Sequence, residues 1–402
     1  MSSMACGNGI CRLILATTAA TILTLSAFPS VVEGRGVLHD ETADFRPHAL
    51  ANVYSNPVIA DHILADPVVL RMNGTFYLYS TGDVSREDTP QSGMPDGMET
   101  IIFSSAEARR AYASSSPVNG GRTDCGYRVF VSEDLINWRR GPVVFAPPDH
   151  LCGNWAPHVW HDKSSGFIYM YYTHRESVGV ARASSPMGPF ENAKMLVDRA
   201  IDPFLLVDDD LGLFLYVVNI PQSHISVQKM VSPTELDPNS TAKVVLEHED
   251  IPWECHGGQI NEAPWVFRHN GTFYMLYSGS FFNVDFYAVG YATASRPDEA
   301  FTRNYELNPI MHRTDTVHGP GHVAVVYDDA NEPWLVYHQK MEAVKMGQDR
   351  RICIDRLVIE PDGRLAVNVT RGENVVGPLI NSSRIYPGPE MFLELEAQLA
   401  AL

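Results

Sequence analysis

Apolar and aromatic side chains along this chain come in short runs separated by clusters of Gly, Pro, Asn and Asp, the punctuation of strands and tight turns. The plainest case is an internal match: Arg71-Met-Asn-Gly-Thr-Phe-Tyr-Leu-Tyr-Ser80 returns as Arg268-His-Asn-Gly-Thr-Phe-Tyr-Met-Leu-Tyr-Ser278. Asn-Gly supplies the two positive φ angles of a type I′ turn, so each stretch predicts a β-hairpin. Three weaker copies follow the same plan, at His161-Asp-Lys-Ser-Ser-Gly-Phe-Ile-Tyr-Met-Tyr-Tyr172, Val207-Asp-Asp-Asp-Leu-Gly-Leu-Phe-Leu-Tyr216 and Tyr327-Asp-Asp-Ala-Asn-Glu-Pro-Trp-Leu-Val-Tyr337.

About ten residues before each hairpin stands a short segment marked by Pro or Gly that should open its first strand. These segments are Ala65-Asp66-Pro67, Trp155-Ala156-Pro157, Ile201-Asp202-Pro203, Glu262-Ala263-Pro264 and Gly319-Pro320-Gly321-His322. Five such units, roughly 45–60 residues apart except for an insertion of about 40 residues after the first, predict an all-β chain folded as a five-bladed β-propeller. No long amphipathic pattern interrupts them, which disfavours a parallel α/β fold. The expected division is a signal peptide and processing region over 1–34, an N-terminal lead over 35–53, the propeller over 54–370 and a tail over 371–402, helical or frayed from Glu390 onward.

Composition narrows the function. The 402 residues carry 30 Lys and Arg against 48 Asp and Glu, a net charge of −18, which argues against nucleic acid or an anionic membrane as partner. Leu13 to Phe28 is uncharged, apolar and Thr-rich, too short to span a bilayer, and reads as a secretory signal. Cys6 and Cys11 leave with it. In an oxidising compartment the remaining Cys125, Cys152, Cys255 and Cys353 predict one or two disulfides, with Cys125 to Cys152 as the first choice. Glycosylation sequons stand at Asn73, Asn239, Asn270, Asn368 and Asn381.

In a propeller the first strand of every blade lines the axis, so the five segments should converge at one mouth. Three bring a carboxylic acid: Asp66, Asp202 and Glu262. Asp-Pro is also a common way to start a turn, and any one of these taken singly reads as that. Converging carboxylates shift one another's pKa values and can separate an ionised base from a protonated acid. Such a pair suits glycoside hydrolysis, with carbohydrate as the partner.

With these residues together, the chain resembles family 43 glycoside hydrolases over most of its mature length. The matching stretches are Asn56-Pro57-Val58, Ala65-Asp66-Pro67, Trp155-Ala156-Pro157, Ile201-Asp202-Pro203 with Asp208-Asp209-Asp210, Asn261-Glu262-Ala263-Pro264 and Gly319-Pro320-Gly321-His322. The resemblance implies a five-bladed propeller and an inverting hydrolase of arabinofuranosides or xylosides. It makes Asp66 the general base, Glu262 the general acid and Asp202 the carboxylate that orients Glu262 and raises its pKa. Ala263 departs from the Gly that many relatives carry beside the acid.

The resemblance further implies a substrate-binding arginine at Arg350 or Arg351, a sugar-stacking role for Trp155, and His322 facing a central calcium or water site. No cofactor is required for the chemistry, and Ca2+ would be structural and held through water, since one His cannot satisfy an ion that takes about 6–8 oxygens. The bland readings are a His bonded to backbone, a Trp packed between blades and arginines on the surface. The segment from about Thr81 to Cys125 falls in the loop between strands two and three of the first blade, on the mouth side, and should wall the mouth into a pocket. Its counterpart from Gly279 to Asp285 adds Phe281 and Phe282, which inter-blade packing explains equally well. A pocket admits a chain end, which predicts exo action. The alternatives are an endo-acting arabinanase or another pentosan or galactan hydrolase of the same fold, a retaining fructosidase-like site using Glu254 in Trp253-Glu254-Cys255, and a catalytically silent carbohydrate-binding propeller.

Overall fold

The computed structural model describes residues 53–85, 126–149, 153–343 and 349–380. They form five antiparallel blades, four of four strands and one of five, each built from consecutive strands. Blade 1 contains β2 (His62–Met72), β3 (Thr75–Ser85), β4 (Tyr127–Ser132) and β5 (Arg139–Phe145), after a short β1 (Val53–Tyr54). Blade 2 contains β6 (Asn154–His161), β7 (Ile168–His174), β8 (Ser177–Ala183) and β9 (Glu191–Asp198). Blade 3 contains β10 (Ala200–Asp208), β11 (Gly212–Asn219), β12 (His224–Ser232) and β13 (Glu235–Leu236), with β14 (Lys243–Leu246) also paired to β12. Blade 4 contains β15 (Asn261–His269), β16 (Thr272–Gly279), β17 (Ala288–Ala294) and β18 (Thr302–Arg303). Blade 5 contains β19 (His318–Tyr327), β20 (Pro333–Lys340), β21 (Arg350–Ile359) and β22 (Leu365–Val367), followed by β23 (Val375–Val376). The fold is the five-bladed β-propeller that the repeat predicts.

The repeated hairpins form for the local reason given above. Asn73 and Gly74 have φ of 54° and 87°, and Asn270 and Gly271 of 47° and 81°, so both central residues of each turn are left-handed. The apolar runs on either side are buried on both faces because each blade is covered by its two neighbours; every residue of β20, from Pro333 to Lys340, is buried. The core is accordingly not one mass. The buried apolar residues form five clusters, one at each blade junction: blades 1 and 2, 2 and 3, 3 and 4, 4 and 5, and 5 and 1. Tyrosines on second strands also tie blades together with their hydroxyls. Tyr79 donates to Pro186 O at 2.6 Å and Tyr171 to Pro233 O at 2.7 Å, each in the following blade.

The ring closes without strand exchange. β1 pairs with β23, and the buried Asn56 side chain completes the edge of blade 5, donating to Ile354 O at 2.7 Å and accepting from Ile354 N at 2.9 Å. Tyr54 adds its hydroxyl to Asp355 Oδ1 at 2.8 Å.

The disulfide expectation is overturned: among the described residues Cys353 is a free thiol and no disulfide is present. Cys353 lies in the middle of β21 and is fully buried between blades, where it packs as a small apolar side chain. The pair Cys125 and Cys152, the signal segment, most of the first-blade insertion and the tail expected to be helical or frayed lie outside the described residues. No helix among the described residues is long and apolar enough to cross a membrane.

Candidate active site

All five first strands break register at the same place. The irregularities fall between Ala65 and Val68, Trp155 and His158, Ile201 and Phe204, Glu262 and Trp265, and Gly321 and Ala324. Inside each bulge one residue is left-handed: Asp66 at φ 51°, Ala156 at 39°, Asp202 at 52°, Ala263 at 56° and His322 at 51°. None is glycine, and each such residue costs about 1–2 kcal/mol, so five at equivalent positions mark a feature of the fold and not an accident of one turn. The bulges re-aim side chains toward the axis. They also separate the three acids into two classes: Asp66 and Asp202 are the left-handed residues of their blades, whereas Glu262 precedes its own, Ala263.

Asp66 is buried beside one guanidinium and two imidazoles. Arg350 Nη1 donates to its Oδ1 at 3.1 Å, and His322 Nδ1 and His338 Nδ1 each lie 3.3 Å from the same oxygen. Burial alone would raise this carboxyl, but Arg350 first, then His322, reverse that and hold it far below the ordinary carboxylate range. Burial brings His338 down to about 4, so the ring is neutral. Its Nδ1 then accepts from the Asp66 N–H at 3.2 Å, and the nearby carboxylate oxygen is a close approach and not an ion pair. Asp66 is therefore an ionised carboxylate aimed into the mouth, the state a base on water requires.

Asp202 sits in the same backbone position and behaves oppositely. Burial, then the charge of Glu262 and then that of Asp66, push its carboxyl well above the ordinary range. Its Oδ2 accepts from Ala263 N at 3.0 Å, which fixes it beside Glu262. Two carboxyls held this close cannot both ionise easily, so a proton belongs to the pair. Glu262 is half-buried, and Tyr287 donates its hydroxyl to Glu262 Oε1 at 2.7 Å. The Tyr287 ring is fully buried and stacks on His338, with centroids 5.6 Å apart and planes at 2°. It also explains part of the Gly-rich opening of β19, because a Cβ at Gly321 would run into this ring.

Of the other expected residues, Arg350 is the arginine in the mouth; Arg351 turns away to Asp349 and donates to Ala60 O at 3.1 Å. The Arg350 guanidinium lies over Phe282, 4.6 Å from the ring centroid. Phe281 packs on Phe282 at 4.7 Å, and its N–H donates to His256 O at 2.9 Å, so the loop carrying both is anchored. Trp155 is half-buried and occupies the ring position equivalent to that of Glu262. Glu254 is closed to substrate. It is fully buried, takes Arg303 Nε at 2.8 Å and Nη2 at 3.0 Å, and accepts from Tyr277 at 2.7 Å, which makes it a structural ion pair.

Beside the carboxylates the first strands line a pocket of about 20 Å³, bounded by Asp202, Pro67, Pro157, Pro203, His158 and His322 among others. That is room for about one water. Among the described residues no three His, Cys, Asp or Glu side chains group to hold a metal, and His322 spends Nδ1 on Asp66. The lining does not supply the oxygen set of a directly bound calcium.

Comparison with known proteins agrees with this geometry. The family model for Glycosyl hydrolases family 43 matches residues 54–365. The chain belongs to that family. Among its relatives, an arabinoxylan arabinofuranohydrolase of Bacillus subtilis (strain 168) is 27% identical over 352 residues, covering 77% of this chain and 63% of the relative. An extracellular exo-alpha-(1->5)-L-arabinofuranosidase of Streptomyces chartreusis is 25% identical over 308 residues, 71% of this chain and 82% of the relative. The crystal structure of a thermostable family-43 glycoside hydrolase superimposes with a TM-score of 0.62 at 28% identity, covering 82% of this chain and all of that one. The chain spans under two thirds of the length of the two arabinoxylan arabinofuranohydrolases it matches, 63% and 55%.

Sequence reasoning missed Tyr287 and His338. His338 had a signal: it is the polar residue that ends the apolar run of its second strand, as Thr81, Thr173 and Ser278 end or follow theirs. Tyr287 had none, since an aromatic at a strand opening is ordinary in this chain.

Proposed function

We propose that this family 43 protein is a secreted, exo-acting, inverting glycosidase that removes terminal α-L-arabinofuranosyl or β-D-xylosyl residues from plant cell-wall polysaccharides or oligosaccharides. The observation that carries this reading is the opposition of an ionised Asp66, held down by Arg350, to a proton-sharing Asp202 and Glu262 pair across the same mouth. In the reaction Asp66 takes a proton from water as its oxygen attacks the anomeric carbon, and Glu262 gives a proton to the departing glycosidic oxygen as that bond breaks. Asp202 performs no transfer; it orients Glu262 and favours its protonated form. Asp66 on blade 1 and Glu262 on blade 4 are not on neighbouring blades, which supports a water between them and hence inversion. The named activity of the Streptomyces relative and the length of the first-blade insertion support secretion and exo action. Arg350, Trp155, Phe281 and Phe282 are the proposed sugar contacts. Calcium enters only as a structural ion held through water near His322, and no step uses it.

The test is product analysis by NMR on arabinan, arabinoxylan and xylooligosaccharides. The expected first product is a monosaccharide of inverted anomeric configuration. A retained anomer would falsify the roles of Asp66 and Glu262, and a ladder of oligosaccharides appearing first would show an endo-acting cleft.

A further inference from the structure

A bulge takes the amide of its left-handed residue out of its own sheet, so that buried N–H must find an acceptor elsewhere. Four blades solve this in one way. Ala156 N–H donates to Thr81 Oγ1 at 2.6 Å, Asp202 N–H to Thr173 Oγ1 at 3.0 Å, His322 N–H to Ser278 Oγ at 3.0 Å and Asp66 N–H to His338 Nδ1 at 3.2 Å. Each acceptor stands on the second strand of the preceding blade, level with that blade's own bulge: Thr81 opposite Ala65, Thr173 opposite Trp155, Ser278 in register with Glu262, and His338 with Gly321.

The amide of blade 4 is the exception, and its acceptor should come from blade 3. There the equivalent residue, opposite Ile201, is Val218. It is fully buried in the apolar layer between blades 3 and 4 and has no atom to accept with. The amide it would serve is Ala263 N–H, next to Glu262, and that amide donates to Asp202 Oδ2 instead. The one junction without a side-chain acceptor on the second strand is thus the junction that carries the proposed acid, and a carboxylate has taken over the task.

We propose that Val218 is a positioning residue: by withholding the acceptor that the other four blades supply, it commits the Asp202 carboxylate to the Ala263 amide and so keeps it beside Glu262. Two buried carboxyls repel, and without a donor holding it Asp202 has reason to turn away or to keep the proton itself. The kinetic consequence rests on the reading of Glu262 as the acid; the structural one does not.

Two measurements on the full chain test this. The first is a thermal-stability cycle. Asp202→Ala leaves the Ala263 N–H without its acceptor, and adding Val218→Thr, close in shape but with a hydroxyl, should raise the Tm of that variant while leaving unchanged or lowering the Tm of the native protein. Equal effects of Val218→Thr in both backgrounds overturn the proposal. The second is the pH dependence of kcat/KM on an aryl pentoside. Val218→Thr should move the alkaline limb to lower pH by about half a unit to one unit, because the hydroxyl competes for the amide and Asp202 ceases to favour protonated Glu262. Thr81→Val, which removes the acceptor at another junction, should lower Tm and leave the limb in place. A limb unmoved in Val218→Thr overturns the proposal, since a merely structural valine would give that result. If the native protein cleaves no pentoside, the functional reading has failed, and the stability cycle alone decides the role of Val218.

Discussion

Asp66 and Asp202 are the same residue in the same backbone setting. Each precedes a proline, each is the left-handed residue of a first-strand bulge, at φ 51° and 52°, and each is at least nine-tenths buried. Their carboxyls nevertheless move in opposite directions, Asp66 far down and Asp202 well up. Burial raises both. The difference comes from the neighbouring blade: blade 5 offers Asp66 a guanidinium and two imidazoles, whereas blade 4 offers Asp202 a second carboxyl and a single backbone amide. A repeat protein can therefore install one side chain at equivalent positions and obtain from it an ionised carboxylate in one blade and a proton-sharing one in another, because the charge state is set across blade junctions.

The contrast can be broken most forcefully at the two proposed proton-transfer groups. Asp66→Asn and Glu262→Gln should each lower kcat/KM by about two to four orders of magnitude with folding intact, as circular dichroism would show. Substrates with good leaving groups need little protonation and should restore rate only to the Glu262 variant; equal recovery in both would reverse or end the assignment.

Removing the counter-ion comes next. In Arg350→Met the burial that Arg350 now outweighs should push Asp66 up, shifting the acid limb of the pH–rate profile to higher pH by about one to three units. Arg350→Lys keeps the charge and should shift it less. The same change reads out in stability. A depressed carboxyl stabilises the fold above its unfolded pKa and that contribution fades as pH falls, so Arg350→Met should lose more stability at neutral pH than at pH 3, measured by denaturant unfolding. A constant loss across that range would mean Arg350 does not govern Asp66.

On the other side of the comparison, Asp202→Asn keeps an acceptor for Ala263 N–H but removes the charge. The alkaline limb should move to lower pH by about one unit. Because Asp202 and Glu262 hold one proton between them in the fold, the pair keeps a proton that the unfolded chain releases above about pH 4, which costs stability as pH rises. The Asn variant should thus gain Tm at pH 7 relative to pH 4 against the native protein, and no relative gain would show that the pair holds no proton in the fold.

The smallest effect is expected at Tyr287. Its hydroxyl donates to Glu262 Oε1 and favours the carboxylate, so Tyr287→Phe should move the alkaline limb to higher pH, by less than about one unit and opposite in sign to Asp202→Asn. A shift in the same direction as Asp202→Asn would show that the phenol positions Asp202 rather than Glu262.

Much of this was legible in residue order because hairpins are local. Asn73-Gly74 and Asn270-Gly271 dictate their turns by backbone sterics, and five punctuated strand openings in order are enough to count five blades. The acids could be found the same way, although their offset within the bulge could not. The disulfide expectation failed because compartment and cysteine count say nothing about which thiols meet, and Cys353 ended in a packed inter-blade layer. What only the tertiary structure decided are the contacts between blades. Arg350 reaches Asp66 across 284 residues of chain, Asp202 reaches Ala263 across 61, and Tyr287 meets Glu262 and His338 from two different strands. Sequence alone places a carboxyl at the axis, but its charge state depends on desolvation and on which neighbours lie within a few ångströms, and those neighbours are brought there by ring closure rather than by anything adjacent in the chain.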